Sequence, residues 1–202
     1  MMNVMGYDAM ALGSLDISLL TANELRQRIG EADFAVLSAN AYISGTEELL
    51  ADPYNLMEMG GHRVGILGLT DAAVSEDVLV SDPVQAAEKW LPRLGSSADI
   101  IIVLSQAGLE VEQEIAKRFP SIDIIVSGHN TPADDPMVAE GTGALMIRAE
   151  VPRPGNAGQV VGVAGLSFDE TGRLLTHDWI RIVLDSRYVE DPAIKSWLQN
   201  IQ

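Results

Sequence analysis

Apolar residues follow two different spacings along the chain, and each spacing predicts one kind of element. Three runs are almost continuously apolar and rich in β-branched residues: "FAVLSAN" (34–40), "DIIIVLS" (99–105) and "IDIIVSG" (122–128). Such runs are typical of strands that are covered on both faces of a parallel sheet. Between the second and third run lies "LEVEQEIAKRF" (109–119), whose apolar residues recur every four positions and therefore predict a helix.

Capping residues mark where further helices begin. Thr21 is followed three residues later by Glu24, which is the pattern of a capping box. Asp82 precedes Pro83, a helix N-cap followed by proline at the first helical position. We expect the helix that starts there to be disturbed near Pro92, because proline in a helix interior removes a backbone hydrogen bond.

Turn residues predict hairpins and a change of architecture in the last third of the chain. Gly60-Gly61 separates "YNLMEM" from "HRVGILGLT", a two-residue hairpin signal, and residues 169–172 form a second hairpin loop. After residue 137 we expect "GALMIRAEV", "QVVGVAGLSFD" and "RLLTHDWIRIVL" to be successive strands joined by turns. "DPAIKSWLQNI" (191–201) predicts a helix at the end.

This order of elements predicts a layered α/β fold within a single domain. Strands alternate with helices first, over residues 1–136, and mainly antiparallel strands follow over residues 137–190. A C-terminal helix occupies residues 191–202, and all three parts belong to one domain, 1–202. A chain of this length can bury one sizeable core.

Three loops each follow the end of a predicted strand, and we expect them to converge. They are Gly13-Ser14, Ser105-Gln106 and Gly128-His129. Parallel strands joined by right-handed crossovers place all their carboxyl ends at one edge of the sheet. Ligands of open α/β sheets bind at that edge, so these loops are the candidate site.

Composition and charge narrow the classes of function. The 202 residues are 47% hydrophobic and 21% charged, which is usual for a globular protein, and the net charge is −16. We expect no nucleic acid partner, because this charge repels phosphate backbones. There are no cysteines, which excludes disulfides, thiolate zinc sites and a cysteine nucleophile. No apolar run is long enough to cross a bilayer and the first residues lack the pattern of a signal peptide, so we expect a soluble protein with no membrane partner, of unknown compartment.

Six segments have the order and spacing of a known family: "MGYDAMALGSLDI", "FAVLSAN", "VGILGLT", "ADIIIVLSQAGLE", "IDIIVSGHNTP" and "FDETGRLL". The chain resembles the N-terminal catalytic domain of the 5′-nucleotidase branch of the calcineurin-like metallophosphoesterases. The resemblance implies an α/β sandwich of mixed sheets flanked by helices. It also implies hydrolysis of phosphomonoesters by two divalent metal ions (Mn, Zn, Fe or Mg), which hold the nucleophile and the leaving oxygen in line. Members of this family are often exported.

The chain departs from the family pattern at the residues that carry the chemistry. The family motif Gly-Asn-His-Glu falls on residues 13–16, so Ser14 replaces a metal-binding asparagine and Leu15 replaces the catalytic histidine, beside Asp16. Gln106 stands where the family has the histidine of a Ser-His motif. In the last motif, Gly-His-x-His, only the first histidine is present, as His129, and Thr131 replaces the second.

These departures predict a degenerate domain that is catalytically inactive and acts as a binding or scaffolding module. No catalytic residue is assigned, and Leu15 and Asp16 are the degenerate catalytic positions. We expect no cofactor and, at most, His129 as a metal ligand. The old pocket would take a small polar ligand and is lined by Ser14, Asp16, Gln106, His129, Asn130 and Thr131. The alternative is an active metal-dependent phosphoesterase that is completed by upstream residues or by a partner chain.

The resemblance also implies that two metal motifs, Asp-x-His and Gly-Asp, would lie upstream of Met1 on strands in the middle of the fold. Without those strands, neighbouring edges are uncovered, and an uncovered edge is a template for another chain. We therefore expect a homo-oligomer, a partner chain across the open edge, or closure of the sheet by residues 1–20.

Several polar residues also have simpler interpretations. A lone histidine in a loop, such as His129, is more often a hydrogen-bonded structural residue than a ligand. His62 and His177 are expected at the surface. The acidic stretch with Asp134, Asp135 and Glu140 could be a weak calcium or magnesium site, but a solvated loop is the simpler interpretation.

Overall fold

A computed structural model describes residues 1–128, 135–148 and 160–199 of the chain. In chain order the elements are α1 (Met2–Met5), β1 (Ala9–Ala11), α2 (Ser14–Leu19), α3 (Ala22–Gly30), β2 (Ala35–Leu37), β3 (Ala41–Ile43), β4 (Tyr54–Met59), β5 (His62–Leu69), β6 (Val78–Val80), α4 (Pro83–Gly95), β7 (Ile100–Ser105), α5 (Leu109–Arg118), β8 (Ile124–Ser127), β9 (Met137–Val138), β10 (Leu145–Arg148), β11 (Val160–Phe168), β12 (Leu174–Val183) and α6 (Pro192–Gln199).

A six-stranded sheet forms the centre, in the order β4-β5-β7-β8-β10-β9. Its four inner strands are mutually parallel, and the outer strands β4 and β9 are antiparallel to their neighbours. The apolar runs predicted as covered strands form β7 and β8, whose residues are buried or half-buried. Continuous β-branched sequence therefore indicated the covered middle of this sheet correctly.

Helices α4 and α5 cover one face of the six-stranded sheet. Leu91 and Leu94 of α4 and Ile115 of α5 pack against Val103 and Ile125 in the largest buried cluster. These apolar residues recur at helical spacing, which turns one stripe of each helix towards the sheet.

The opposite face carries two separate two-stranded pieces. β1 pairs in parallel with β2, and β11 pairs antiparallel with β12. Leu166 and Phe168 of β11 and Trp179 of β12 pack on Ile124 and on neighbouring strands of the six-stranded sheet. The molecule is thus layered, with helices on one face of the central sheet and β-structure on the other.

Residues 1–20 do not close this second layer within the described ranges. β1, the only strand in that stretch of the described chain, pairs with β2 alone. β11 likewise pairs only with β12 among the described residues. Closure of the sheet by residues 1–20, one of the three expectations, is therefore not seen in this part of the chain.

The predicted helix starts and the first hairpin are present. The Thr21 hydroxyl accepts a hydrogen bond from the Glu24 amide at 3.3 Å, and the Glu24 carboxylate accepts one from the Thr21 amide at 2.8 Å. Asp82 caps α4 by accepting from the Gln85 amide at 2.8 Å. Gly60 and Gly61 have φ of +60° and +87°, as the hairpin turn between β4 and β5 requires.

One local prediction is wrong and another is incomplete. Helix α4 continues through Pro92 to Gly95 instead of being disturbed there. Pro92 and Glu88, whose carbonyl loses its helical donor, are both exposed, so water can replace that bond. The segment "GALMIRAEV" was predicted within a stretch of mainly antiparallel strands, and β10 within it pairs antiparallel with β9 but in parallel with β8. Apolar content predicts that a strand is buried but does not identify its neighbour.

None of the helices in the described part of the chain is both long and apolar enough to span a bilayer.

Candidate functional site

The three predicted loops meet at the carboxyl edge, with the Gln106 side chain between them. A Cβ added to Gly13 would lie 3.4 Å from Gln106 Nε2, and one added to Gly128 would lie 3.0 Å from the same atom. The backbone joins the loops further, because the Gln106 amide donates to the Leu69 carbonyl at 3.0 Å and the Gly128 amide donates to the Ser105 carbonyl at 2.7 Å. Glycines at positions 13 and 128 allow this close approach, so convergence is confirmed for the described residues.

The carboxylate of Asp16 is turned back onto its own helix. Its Oδ2 accepts a hydrogen bond from the Gly13 amide at 2.8 Å, at the N-terminus of α2. The same oxygen lies 3.4 Å from the position of a Gly13 Cβ. Asp16 therefore caps an amide at the end of α2, a common arrangement for a carboxylate there. This capping role could not be read from the resemblance, which placed Asp16 only as a degenerate catalytic position.

Leu15 lies on the outside of α2, beside the converging loops. Its side chain is 73% exposed, and Leu19, one turn further along, is 77% exposed. Ser14, at the first position of the same helix, is half-buried. Leucine has no donor or acceptor in its side chain, so this position offers a reacting phosphate neither a proton nor a hydrogen bond.

A buried polar network beneath these loops connects the strand ends. Asn40 donates to the Thr70 carbonyl at 2.8 Å and to the Ser81 carbonyl at 2.9 Å, and it accepts from the Thr70 amide at 2.9 Å. The Thr70 hydroxyl donates to the Leu12 carbonyl at 3.0 Å, and the Ser38 hydroxyl lies 2.7 Å from the Thr70 hydroxyl. This network was not predicted from the sequence, although "SAN" and "LT" each place polar residues directly after a strand.

A second buried cluster lies below the Gly128 loop. Ser127 donates to Glu112 Oε1 at 3.0 Å and accepts from Arg148 Nε at 3.3 Å, while Arg148 approaches the other carboxylate oxygen at 3.8 Å. The Glu112 and Arg148 side chains are 0% and 5% exposed. The helical pattern of α5 did not single out Glu112, although it lies three residues before buried Ile115 on the same face.

The remaining predicted residues fall in different places. His129, Asn130 and Thr131 lie outside the described residues, as does Asp134. Asp135 and Glu140 are exposed, as expected for a solvated loop. His177 is exposed and His62 is partly buried at the start of β5, and neither belongs to the loops that converge on Gln106.

The donors that the structure places at this edge do not fit a pair of divalent ions. Across residues 1–128, 135–148 and 160–199, no three His, Asp or Glu side chains come together as a metal-binding group. Asp16 already accepts from an amide, and Ser14 and Gln106 are neutral. A dinuclear centre for phosphate chemistry requires several carboxylate and imidazole ligands, which this set does not supply.

No family model matches the chain. Among curated proteins, the chain is 28% identical over 220 residues to 5′-nucleotidase of Bos taurus, an alignment that covers 96% of the chain and 38% of that protein. It is 25% identical over 244 residues to the trifunctional nucleotide phosphoesterase protein YfkN of Bacillus subtilis, covering 100% of the chain and 16% of that protein. The chain thus spans less than two fifths of the length of these relatives.

The chain is also similar to solved structures of proteins named as 5′-nucleotidases. The 5′-nucleotidase precursor from Thermus thermophilus superimposes with a TM-score of 0.79 at 28% identity, over 96% of this chain and 43% of that one. A putative 5′-nucleotidase from Staphylococcus aureus gives a TM-score of 0.76 at 20% identity, over 99% and 42%. The predicted resemblance and the predicted fold class are both confirmed.

Proposed function

We propose that this domain of the 5′-nucleotidase branch of the metallophosphoesterases is catalytically inactive and acts as a binding or scaffolding module. The observation that carries the proposal is the chemistry at the converging loops. There an exposed leucine, Leu15, occupies the family's catalytic position, and a neutral amide, Gln106, occupies a ligand position. Both residues are part of the described structure, so neither change depends on residues outside it.

The physical argument concerns charge. Two divalent ions bring four positive charges into the site, and neighbouring carboxylates normally balance them. In the described part of the site the only carboxylate is that of Asp16, and the Gly13 amide already shares it. A serine hydroxyl and a glutamine amide cannot replace the missing charge. This leaves the loops able to bind neutral polar groups but poorly suited to hold metal and phosphate together.

A turnover assay tests the inactive interpretation. We expect the purified chain, with millimolar Mn²⁺ and a chromogenic phosphomonoester, to hydrolyse no faster than buffer, while the Thermus thermophilus relative turns over in the same assay. Asp16→Ala is the matched variant, since it removes the only described carboxylate at the site. Turnover by the parent chain that Asp16→Ala abolishes would contradict the proposal.

The alternative is an active metal-dependent phosphoesterase, acting on nucleotides or other phosphomonoesters, whose missing ligands come from upstream residues or from a partner chain. Its support is the names of the relatives, which include 5′-nucleotidases and a nucleotide phosphoesterase. If active, it would use two divalent ions. The turnover assay distinguishes the two interpretations for the chain as it stands.

A small polar ligand is a further part of the proposed binding role. The side-chain amide of Gln106 lies at the meeting point of the loops. It makes no hydrogen bond to the described residues, so it is available to a ligand. In a thermal-shift screen we expect a monosaccharide such as ribose at high millimolar concentration to raise Tm by about 2 °C, and inorganic phosphate to have no effect.

Gln106→Leu should remove that shift, whereas Gln113→Leu, a matched change on the exposed face of α5, should preserve it. Stabilisation by phosphate but not by the sugar would contradict a neutral-ligand pocket, because it would mean that the loops still favour anions.

The proposed scaffolding role requires a surface for a partner. Each of the strands β1 and β11 has one paired edge, and its other edge has no partner strand among the described residues. A homo-oligomer or a partner chain across such an edge is the proposal that follows.

A further inference from the structure

Three aromatic side chains and two cations form one surface cluster beside helix α4. Tyr42 lies in β3, Tyr54 begins β4, and Lys89, Trp90 and Arg93 lie on α4. The Lys89 ammonium is 4.9 Å from the centroid of the Trp90 ring, and the Arg93 guanidinium carbon is 5.0 Å from it. Lys89 also donates to the Tyr42 hydroxyl at 3.3 Å, and the ring centroids of Tyr54 and Trp90 are 5.9 Å apart. We call these five residues the α4 patch.

The two cations of the α4 patch have no carboxylate partner in a strongly acidic chain. Acidic residues outnumber lysine and arginine by 29 to 13. Within the described ranges neither Lys89 nor Arg93 makes an ion pair, and the neighbouring Glu88 pairs with Arg118 at 3.5 Å instead. Like charges one helical turn apart repel each other. The helix dipole favours Arg93, in the last turn of α4, but not Lys89, which lies near the middle of the helix. Helix electrostatics therefore favour only one of the two cations.

The aromatic members of the α4 patch are of the kind that anchor protein interfaces. Tyr42, Tyr54 and Trp90 are half-buried, so part of each side chain still meets solvent. Tyr54 and Trp90 also pack against the main core, which holds them in place. Tyrosine, tryptophan and arginine are enriched at interface hot spots. The cation–π contacts hold the lysine and the arginine over Trp90, and this reduces the entropy that the two side chains lose when a partner binds.

We propose that the α4 patch binds an acidic peptide segment of another protein. Carboxylates of that segment pair with Lys89 and Arg93, and an apolar or aromatic side chain beside them packs on the three rings. Charge complementarity favours this partner, because the patch keeps two cations without ion pairs on a protein of net charge −16. The rings favour a peptide over a small free anion, which would leave them uncovered. This surface goes beyond the proposed scaffolding role, since it requires no open sheet edge.

The acidic surface of the rest of the protein limits the length of the segment. Lys89 and Arg93 are one helical turn apart, so two carboxylates about 6 Å apart can reach both cations. A longer acidic stretch would extend beyond the patch over a protein of net charge −16, which repels it. The α4 patch should therefore take a short acidic segment and not a long polyanion.

A titration followed by fluorescence anisotropy tests the patch. The probe is a rhodamine-labelled pentapeptide, Glu-Glu-Tyr-Glu-Glu, at low ionic strength, where attraction between charges is least screened. We expect the parent chain to bind it saturably with a Kd of about 100 µM, and not to bind the matched glutamine peptide, Gln-Gln-Tyr-Gln-Gln. Lys89→Glu combined with Arg93→Glu should weaken binding by about tenfold or more, because both cations become carboxylates.

Lys117→Glu combined with Arg173→Glu is the matched control. Lys117 lies on α5 and Arg173 in the hairpin loop before β12, and neither makes an ion pair within the described ranges. This control has the same net charge as the patch variant, and it should bind the peptide at least about fivefold more tightly. Circular dichroism checks that both double variants are folded. If charge reversal unfolds the patch variant, Lys89→Gln with Arg93→Gln replaces it and should weaken binding by about threefold.

Failure of the parent chain to bind the acidic peptide overturns the proposal. So does an equal loss of binding in the two double variants, which would mean that only net charge matters. Displacement of the peptide by millimolar inorganic phosphate at matched ionic strength also overturns it, because the cations would then take a free anion and not a peptide. Because the titration is independent of turnover and of metal, an active enzyme would refute the inactive role and leave the α4 patch standing.

Discussion

Replacing Asn40 by alanine is expected to lower the free energy of unfolding by about 3 kcal/mol, because a buried polar network loses its central member. Asn40 is 0% exposed and makes three hydrogen bonds, to both backbone groups of Thr70 and to the Ser81 carbonyl. Alanine leaves the Thr70 amide without its partner and opens a small cavity. Buried groups that lose their partners cost more than the mean value of one hydrogen bond.

The loss should be visible in urea unfolding as a lower midpoint at an unchanged slope. Asn23→Ala is the control, because Asn23 is exposed on α3 and surface changes usually stay within about 0.5 kcal/mol. Equal stability of the two variants would mean that the network beneath the converging loops is not what holds the ends of β2 and β5 together.

Replacing Gly68 by alanine is expected to destabilise the fold by about 3 kcal/mol, through overpacking and not through a lost bond. A Cβ at position 68 would lie 2.5 Å from Leu37 Cβ and 2.7 Å from the Leu37 carbonyl carbon and oxygen. Two of these atoms are backbone, so β2 would have to move away from β5 as a whole. That movement also displaces the Ala39 amide, which donates to the Gly68 carbonyl at 2.8 Å.

Gly30→Ala provides the opposite case on the same chain. A Cβ at Gly30 meets nothing within 4 Å, and the residue ends helix α3 with ordinary helical φ. Alanine there should be neutral or stabilising by up to about 1 kcal/mol. If thermal unfolding showed Gly68→Ala to be as stable as Gly30→Ala, β2 and β5 would not be packed as closely as described.

The fold was largely predictable because its strongest signals are local. The β-branched runs of β7 and β8 and the caps at Thr21 and Asp82 depend on neighbouring residues alone. The pairing of β10 was not predictable in the same way, since a buried strand has the same composition whichever neighbour it takes. The continuation of α4 through Pro92 was also not predicted. A helix tolerates an interior proline where the carbonyl that loses its donor, here that of Glu88, is exposed to water.

The candidate site was predictable only in outline. Strand ends indicated that the loops of Gly13, Gln106 and Gly128 would meet, and they do. The direction of the Asp16 carboxylate was not predictable. An aspartate at this position can either cap its own helix or face a ligand, and the sequence is the same in both cases. Glu112 was overlooked because a glutamate in a helix is usually solvated, whereas here Ser127 and Arg148 accompany it into the core.

The most direct test of the inactive interpretation is the number of metal ions bound per chain. The purified protein is dialysed against micromolar Mn²⁺ and then against metal-free buffer, and elemental analysis gives metal and sulfur, whose content is fixed by the eight methionines. With Asp16 engaged by Gly13 and neutral side chains at positions 14 and 106, we predict well under one ion per chain. Two tightly held ions per chain, lost in the Asp16→Ala variant, would contradict the account.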